Sequence, residues 1–168
     1  MPRHLTLPDP ALVVLVGVAG SGKSTFAARA FAPTQVLSTD AFRAMLADDP
    51  ADQSASRAAF ELLHRVAALR LARGRLTVVD ATNTLPDARA DLIELARSYS
   101  VPAVALVLDV PPRVCVARRP ALPVAAVRQQ RARLRAALRD LPGEGFAEVH
   151  VLSGPDEVET ATVETVRR

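Results

Sequence analysis

Residues 12–24 read LVVLVGVAGSGKS, an unbroken apolar run that leads into a glycine-rich loop ending in a lysine and a serine. The loop, Gly17 to Ser24, matches the pattern G-x-x-x-x-G-K-[ST] at every position, which is the P-loop or Walker A motif. Glycines are needed there because the backbone must wrap around a phosphate with several N–H groups pointing inward. The apolar run predicts a buried strand, and Lys23 to Phe31 predicts a helix whose N-terminus attracts the phosphate. This stretch therefore predicts a phosphate-binding loop between a strand and a helix.

The two polar side chains of the loop have separate predicted tasks. The ammonium of Lys23 would bridge the β- and γ-phosphates of ATP, and the hydroxyl of Ser24 would be a ligand of Mg²⁺. Lys23 is the only lysine among 21 basic residues, so a chain that otherwise uses arginine keeps a compact ammonium at this position. The sequence thus predicts ATP and Mg²⁺. The predicted nucleotide-binding residues of the loop are Gly17, Ala19, Gly20, Ser21, Gly22, Lys23, Ser24 and Thr25.

Strands and helices are predicted to alternate along the rest of the chain. Further apolar stretches predict strands at Gln35–Ser38, Leu76–Asp80, Val101–Val110 and Ala147–Leu152. Helical patterns are found through Phe42–Leu46, Asp52–Arg73, Pro86–Ser98, Pro111–Ala117, Val124–Leu141 and Glu157–Val166, and residues 1–10 are expected to form an extended lead-in. This alternation predicts an α/β fold, a parallel sheet of about five strands sandwiched between helices. Ligands bind such sheets at the carboxyl ends of the strands, so residues 17–24, 38–43 and 80–83 and the Arg118 region should converge there.

Composition places the chain among ordinary globular proteins. Its 168 residues are 49% hydrophobic and 23% charged, which favours one soluble domain, residues 1–168. A single cysteine, Cys115, cannot form an internal disulfide and favours a cytoplasmic protein. No apolar run has the length of about 20 residues that spans a membrane, so no membrane association is expected. The sequence pI of about 9.9 is compatible with a polyanionic partner.

Three features favour a kinase over other P-loop nucleotidases. The chain is too small for helicase motifs. Asp40 follows a predicted strand, where its carboxylate could take a proton from an acceptor hydroxyl, although it could also simply cap the next helix. Arg118 opens a segment rich in proline and arginine that is either a solvated loop or a short helical lid over about residues 118–140. A lid arginine would stabilise the charge of the transferring phosphoryl group.

Several stretches, in one order and spacing over most of the chain, carry a resemblance to a known family. They are Gly17–Phe26 (GVAGSGKSTF), Ser38–Arg43 (STDAFR), Gln53, Leu76–Asn83 (LTVVDATN), Val114–Arg118 (VCVAR) and Glu144–Phe146 (EGF). These stretches resemble the kinase domain of bacterial polynucleotide kinase-phosphatase. The resemblance implies a P-loop kinase fold that uses ATP–Mg²⁺ to phosphorylate 5′-hydroxyl ends of RNA or DNA, as in RNA repair.

The resemblance implies a role for each matching residue. Lys23 matches the nucleotide-binding lysine and Ser24 the serine that binds Mg²⁺. Asp40 matches the general base that activates the 5′-hydroxyl group. Arg43, one helical turn later, matches the arginine that contacts the acceptor or the transferring phosphate, and Arg118 matches the lid arginine on the β- and γ-phosphates.

The chain departs from the family in its lid. The connection Arg119–Pro123 is several residues shorter than the family's lid segment and stiffer, so either Arg118 or Arg119 could close over the phosphates. Only the kinase domain of the family is matched, which predicts a stand-alone kinase or an excised kinase module.

Other polar and aromatic residues are candidates on weaker grounds. Asp80 ends an apolar strand as a Walker B carboxylate does, where it would orient Mg²⁺-bound water, or it hydrogen-bonds within the following turn. Asn83 and Arg89 could satisfy loop backbone. Phe42, beside Asp40, is predicted to stack on an acceptor base. The arginines of the basic helix either line an access channel or form a solvated face: Arg128, Arg131, Arg133, Arg135 and Arg139.

The leading hypothesis is therefore a polynucleotide 5′-hydroxyl kinase. One alternative is a P-loop kinase for a small hydroxyl-bearing metabolite or antibiotic. The other is an ATP-binding regulatory module without efficient phosphotransfer.

Overall fold

Five parallel strands form the central sheet in the computed structural model, which describes residues 1–168. The strands of the chain are β1 (His4–Asp9), β2 (Leu12–Val16), β3 (Val36–Ser38), β4 (Thr77–Asp80), β5 (Ala103–Asp109), β6 (Glu148–Ser153) and β7 (Thr162–Arg167). The spatial order of the central sheet is β3-β4-β2-β5-β6. The predicted parallel sheet of about five strands is thus confirmed, with the strand before the P-loop at its centre.

Seven α-helices flank this sheet, and none is long and apolar enough to cross a membrane. They are α1 (Lys23–Ala30), α2 (Thr39–Ala47), α3 (Ser56–Leu71), α4 (Pro86–Ser98), α5 (Pro112–Arg118), α6 (Val124–Asp140) and α7 (Gly154–Thr160). All five residues of β2 are buried, as expected of a central strand that is covered on both faces. The central position of β2 fixes the loop that follows it at the carboxyl edge of the sheet.

The two ends of the chain differ from the prediction. Residues 4–9 form strand β1, which pairs in parallel with β7 from His4 opposite Thr162 to Asp9 opposite Arg167. The predicted helix 157–166 was wrong after Thr160, where the chain changes from α7 to β7. Residues 162–167 (TVETVR) are rich in β-branched side chains, which favour a strand once a partner strand is available.

Helix α2 begins at Thr39, two residues earlier than an Asp40 cap would require. Its N-cap is Ser38, whose hydroxyl accepts from the N–H of Ala41, and Asp40 lies in the first turn. The interpretation of Asp40 as the N-cap was therefore wrong, and its carboxylate is free for another task.

The helical pattern of residues 52–73 predicts one apolar face with Ala59, Leu62, Leu63, Val66 and Leu69. In helix α3, Ala59 and Leu63 are buried, and Leu62 and Val66 pack against the core. Leu69 is 44% exposed and does not belong to this face, whereas Ala67 and Leu71 do. A buried alanine such as Ala67 carries too weak a signal to be picked out from sequence.

Candidate active site

The carboxyl edge of the sheet opens into one cleft of about 810 Å³. The P-loop after β2, the start of α2 after β3 and the turn after β4 all contribute to its lining, together with lid residues and the end of α7. The four segments that were expected to converge therefore line one cleft. The lining residues include Ala19, Gly20, Gly22, Lys23, Ser24, Thr25, Asp40, Arg43, Gln53, Ser56, Phe60, Asp80, Arg118, Arg119, Gln130 and Glu159.

The P-loop holds a set of free backbone donors. Gly20 and Gly22 have φ angles of 83° and 94°, a backbone conformation that residues with a Cβ atom adopt only with strain. A Cβ atom on Gly20 would also lie 2.7 Å from the carbonyl oxygen of Cys115. The loop N–H groups that have no acceptor within the protein include those of Gly20, Gly22, Lys23, Ser24 and Thr25. Such a group of unpaired donors at the N-terminus of α1 is suited to bind a phosphate.

Lys23 is the buried cation of the cleft, with 8% of its surface exposed. Its Nζ donates to the carbonyl oxygen of Val18 at 3.0 Å. Burial lowers the pKa of Lys23, while the negative charges of Asp80 and Asp40 oppose that shift. A desolvated ammonium between two carboxylates would gain from the approach of a phosphate.

Ser24 and Asp80 form an oxygen pair beside the P-loop. The hydroxyl of Ser24 donates to Oδ2 of Asp80 at 2.7 Å, and Asp80 is only 6% exposed. Burial raises the pKa of Asp80, and the hydrogen bond from Ser24 and the charge of Lys23 oppose the rise. Two hard oxygen donors at a phosphate site fit Mg²⁺, which keeps several waters and takes its remaining ligands from phosphate oxygens. No cluster of three or more acidic, histidine or cysteine side chains offers a more complete protein cage.

Asp40 and Arg43 face each other on the first turns of α2. Nη2 of Arg43 donates to Oδ1 of Asp40, and Nε of Arg43 donates to the carbonyl oxygen of Pro50 at 2.8 Å. The side chain of Arg43 is 12% exposed, whereas that of Asp40 is 58% exposed. The guanidinium group is thus fixed by two contacts, and it orients a carboxylate that remains accessible from the cleft.

Phe42 was wrongly placed as a stacking residue. It is 8% exposed, packs in the hydrophobic core and does not line the cleft. Residues 40 and 42 lie about 200° apart around a helix, so an aspartate facing the cleft turns Phe42 toward the interior. Phe60 of α3 is the half-buried phenylalanine at this end of the cleft.

Arg118 contacts the P-loop directly. Its Nη1 donates to the carbonyl oxygen of Gly20 at 3.0 Å, and its Nη2 donates to Oε1 of Glu159 in α7 at 3.3 Å. Arg119 also lines the cleft, and its charge contributes to lowering the pKa of Lys23. Both candidate lid arginines therefore reach the loop, and Arg118 is the one that is hydrogen-bonded to it.

The predicted lid range 118–140 includes residues that belong to the body of the protein. Leu134 and Ala137 in the second half of α6 are fully buried in the core, so this half belongs to the body of the protein. None of the five arginines of α6 lines the cleft, and Nη1 of Arg131 is paired with Oδ1 of Asp109 at 2.7 Å. The interpretation of these arginines as an access channel was therefore wrong.

Gln130 and Glu159 are polar residues of the cleft that sequence reasoning missed. Oε1 of Gln130 accepts from the N–H of Ala19 at 2.9 Å, and Glu159 pairs with Arg118. Gln130 lies 111 residues after Ala19, and no short motif marks either residue. Only the assembled fold brings them to the P-loop.

Arg89 and Asn83 lie behind the cleft as supports. The fully buried guanidinium of Arg89 binds Glu144 through Nε at 2.8 Å and Nη2 at 2.6 Å, and Nη1 donates to the carbonyl oxygen of Asn83 at 3.2 Å. The side chain of Asn83 donates to the carbonyl oxygen of Leu15 at 2.8 Å. Arg89 thus satisfies a loop carbonyl as predicted, but its main partner is Glu144, and Asn83 reaches the backbone of strand β2.

A Walker A loop after the central strand of a five-stranded parallel sheet, with a buried lysine and a serine–aspartate pair, defines a P-loop nucleotide-binding domain. The profile of a family described as an AAA domain matches residues 12–141. The chain belongs to this family, within the P-loop kinase superfamily. No curated protein matches the sequence.

Solved structures of similar fold include chains from two structures of the Pnkp1/Rnl/Hen1 complex. One, of the RNA repair complex, has a TM-score of 0.68 and 23% identity over 79% of this chain and 46% of that chain. The other has a TM-score of 0.57 and 27% identity over 66% of this chain and 39% of that chain. The present chain thus spans less than half the length of either.

A third similar structure is the Mycobacterium tuberculosis APS kinase CysC in complex with AMPPNP and APS. It has a TM-score of 0.55 and 20% identity over 90% of this chain and 95% of that chain. At this identity the likeness concerns the fold alone.

Proposed function

We propose that this P-loop kinase is a polynucleotide 5′-hydroxyl kinase, which transfers the γ-phosphate of ATP to 5′-hydroxyl ends of RNA or DNA. The observation that carries the proposal is the Asp40–Arg43 pair, which lines the same cleft as Lys23 and Asp80. Asp40 and Lys23 line the same cleft, so an acceptor at Asp40 would share it with phosphates held by Lys23. A base and a phosphate-binding lysine on one cleft are what transfer to a hydroxyl group requires.

The residues divide the reaction between them. The free N–H groups of the P-loop and the ammonium of Lys23 bind the donor phosphates. The carboxylate of Asp40 accepts the proton of the 5′-hydroxyl group while the oxygen of that hydroxyl group bonds to the γ-phosphorus. The bond between the γ-phosphorus and the β–γ bridging oxygen breaks, and ADP leaves. Lys23 and Arg118 stabilise the charge that develops on the transferring group. Ser24 and Asp80 would hold Mg²⁺, which would neutralise charge on the phosphates.

Support for a polynucleotide acceptor comes from two sources. One is the similarity, at 27% identity, to a chain of the Pnkp1/Rnl/Hen1 complex. The other is the lining of the cleft, which includes Gln53, Ser56 and Phe60 as well as Arg43. A terminal nucleotide would find there an arginine for a phosphate and a phenylalanine ring for a base.

The test is transfer of labelled γ-phosphate from ATP–Mg²⁺ to short 5′-hydroxyl RNA and DNA oligonucleotides, with Asp40→Asn as the variant. We expect the wild type to label the oligonucleotide and the variant to lose about 10²- to 10⁴-fold in rate, the usual contribution of a general base. Affinity for ATP should stay within about 3-fold, because Asp40 acts on the acceptor. Lys23→Ala is the control that should lose both affinity and transfer.

Three outcomes would contradict the proposal. An oligonucleotide that carries a 5′-phosphate should accept no label. Equal labelling of the 5′-phosphate and the 5′-hydroxyl oligonucleotide would therefore exclude 5′-hydroxyl specificity. Transfer to a small hydroxyl-bearing metabolite but to no oligonucleotide would favour the metabolite kinase. Slow hydrolysis that neither an acceptor nor Asp40→Asn changes would favour a regulatory module.

A further inference from the structure

Gln130 of α6 contacts the P-loop through one end of its amide. Its Oε1 accepts from the N–H of Ala19 at 2.9 Å. A backbone N–H is only a donor, so the oxygen of the amide must face the loop and the NH₂ group must face away from Ala19. The contact therefore fixes which end of this side chain is presented to its surroundings.

The other end of the amide has no protein partner. Gln130 lines the cleft, and its Nε2 donates to no acceptor in the protein. Other residues that line the cleft are the phosphate-binding Lys23, the loop residue Gly20 and Arg118, which binds the carbonyl oxygen of Gly20. Two unused N–H donors beside this cationic loop are suited to a phosphate oxygen.

The short lid explains why a residue of α6 reaches the loop at all. Only Arg119–Pro123 separate the end of α5 from the start of α6, and Leu122 of this connection also lines the cleft. The second half of α6 is anchored in the core by Leu134 and Ala137. Gln130 is therefore presented by a rigid helix, so little conformational entropy is lost when it binds a ligand.

We propose that Gln130 is a donor-binding residue of this kinase. Its amide oxygen is held by Ala19 of the P-loop, and its NH₂ group donates to the terminal phosphate of the bound nucleoside triphosphate. Arg118 contacts the adjacent residue of the loop, so the arginine and the glutamine act on the same side of the phosphates. The inference rests on the proposed function only in taking ATP as the donor.

The competing explanation is a latch, in which Gln130 only ties α6 to the P-loop. Two substitutions separate the explanations. Gln130→Ala removes both ends of the amide. Gln130→Glu keeps an oxygen that can accept from Ala19 but replaces the NH₂ group with a negatively charged oxygen that repels phosphate. A latch predicts that Gln130→Glu binds AMPPNP more tightly than Gln130→Ala does. A phosphate contact predicts that Gln130→Glu binds AMPPNP more weakly than Gln130→Ala does.

The measurement is binding of AMPPNP and of ADP, each with Mg²⁺, by titration calorimetry. We expect Gln130→Ala to weaken AMPPNP binding about 10-fold, as for the loss of one hydrogen bond to a charged group, and to leave ADP within about 2-fold. Gln130→Glu should weaken AMPPNP further, to about 100-fold. The matched controls are Gln129→Ala and Gln129→Glu, because Gln129 is exposed on the same helix and does not line the cleft.

Two results would overturn the inference. One is AMPPNP affinity in Gln130→Glu equal to or above that in Gln130→Ala, with both variants melting as the wild type does. The other is equal weakening of AMPPNP and ADP. The binding measurement contains no acceptor, so it does not depend on the polynucleotide proposal. If the wild type transfers nothing to an oligonucleotide but the Gln130 variants bind AMPPNP and ADP as expected, the polynucleotide proposal is refuted and this one is supported.

Discussion

The hydrogen bond between Arg43 and Asp40 couples two residues that have been given different tasks. Arg43 is fixed at Nε by the carbonyl oxygen of Pro50, and it presents Nη2 to Asp40. The arrangement lets Arg43 act on the acceptor through its own charge, through the orientation of Asp40, or through both. Kinetics of single and double variants can separate these contributions.

We predict that Arg43→Lys lowers kcat/KM for an oligonucleotide about 10- to 100-fold, because a lysine lacks the fork that reaches two partners. If the arginine acts mainly by orienting the base, adding the substitution to Asp40→Asn should cost little more than Asp40→Asn alone. The measurement is steady-state transfer for both single variants and the double variant. Full additivity of the two losses would show that Arg43 contacts the acceptor independently, and a circular dichroism spectrum controls for damage to α2.

Asp80 illustrates how a site residue can oppose the stability of the fold. Its carboxyl is buried, and burial raises its pKa above the ordinary value of about 4. The folded state therefore binds this proton more tightly than the unfolded state does. Ionised Asp80 costs stability above the folded pKa, and the cost fades as pH falls toward about 4.

We predict that Asp80→Asn melts at a higher temperature than the wild type at pH 7 in the absence of nucleotide. The advantage should shrink as pH falls toward 4, because the wild-type carboxyl then becomes neutral as well. The same variant should lose most of the rise in melting temperature that Mg²⁺ with AMPPNP gives the wild type. Thermal melts across this pH range test the prediction, and an advantage that is constant with pH would contradict it.

At the scale of the element, local sequence predicted the strands and helices in the interior of the chain better than it predicted those at its two ends. Strand β2 and helix α4 have the predicted bounds because continuous apolar runs and Pro86 are local signals. Strands β1 and β7 depend on each other across more than 150 residues, and neither has enough apolar surface to be recognised alone. The short α7 was extended too far because its acidic first turn predicts a helix but does not say where it stops.

We predict that the lid elements act chiefly through Arg118. Arg118→Ala should lower kcat about 10- to 100-fold with a smaller effect on KM for the oligonucleotide, because Arg118 contacts the P-loop and not the acceptor end of the cleft. Arg119→Ala is the matched variant one residue away and should lose less. Transfer rates at saturating ATP test this order, and a larger loss in Arg119→Ala would assign the lid role to Arg119.

Glu159→Ala completes the test of the lid. It breaks an exposed ion pair with Arg118 and should change the free energy of unfolding by less than about 1 kcal/mol. A large fall in stability would show that α7 is tied to the lid more strongly than this contact indicates.

At the scale of the whole molecule, motif and strand order predicted where the cleft lies but not everything that completes it. Asp40 and Asp80 could be placed from sequence because Asp80 ends β4 and Asp40 lies two residues after β3, and the carboxyl ends of these strands share one edge. The sequence could not place Gln130, Glu159 and Phe60 in the cleft, because they lie on helices that are distant from the P-loop in sequence. The direction of Phe42 depended on which face of α2 packs on the core.

A long-range support behind the site is the ion pair between the buried Arg89 and Glu144, 55 residues apart. Arg89 also holds the carbonyl oxygen of Asn83, and the carbonyl oxygen of Thr82 accepts from the N–H of Gly17 at 3.0 Å. The Arg89–Glu144 pair is thus connected to the turn that follows Asp80 and, through that turn, to Gly17, the first residue of the P-loop. Loss of one partner would leave an uncompensated charge behind the phosphate site.

We predict that Glu144→Ala lowers the free energy of unfolding by about 3–5 kcal/mol, because it leaves the fully buried guanidinium of Arg89 without its carboxylate. The double variant Arg89→Met with Glu144→Leu should be more stable than Glu144→Ala, since it removes the buried charge as well. Urea unfolding measures both. The control is Glu94→Ala, which breaks an exposed pair with Arg97 on the same helix and should cost under about 1 kcal/mol. If the double variant regains stability but binds AMPPNP more weakly than the wild type, the pair positions the P-loop; if it regains neither, the pair is simply required for folding.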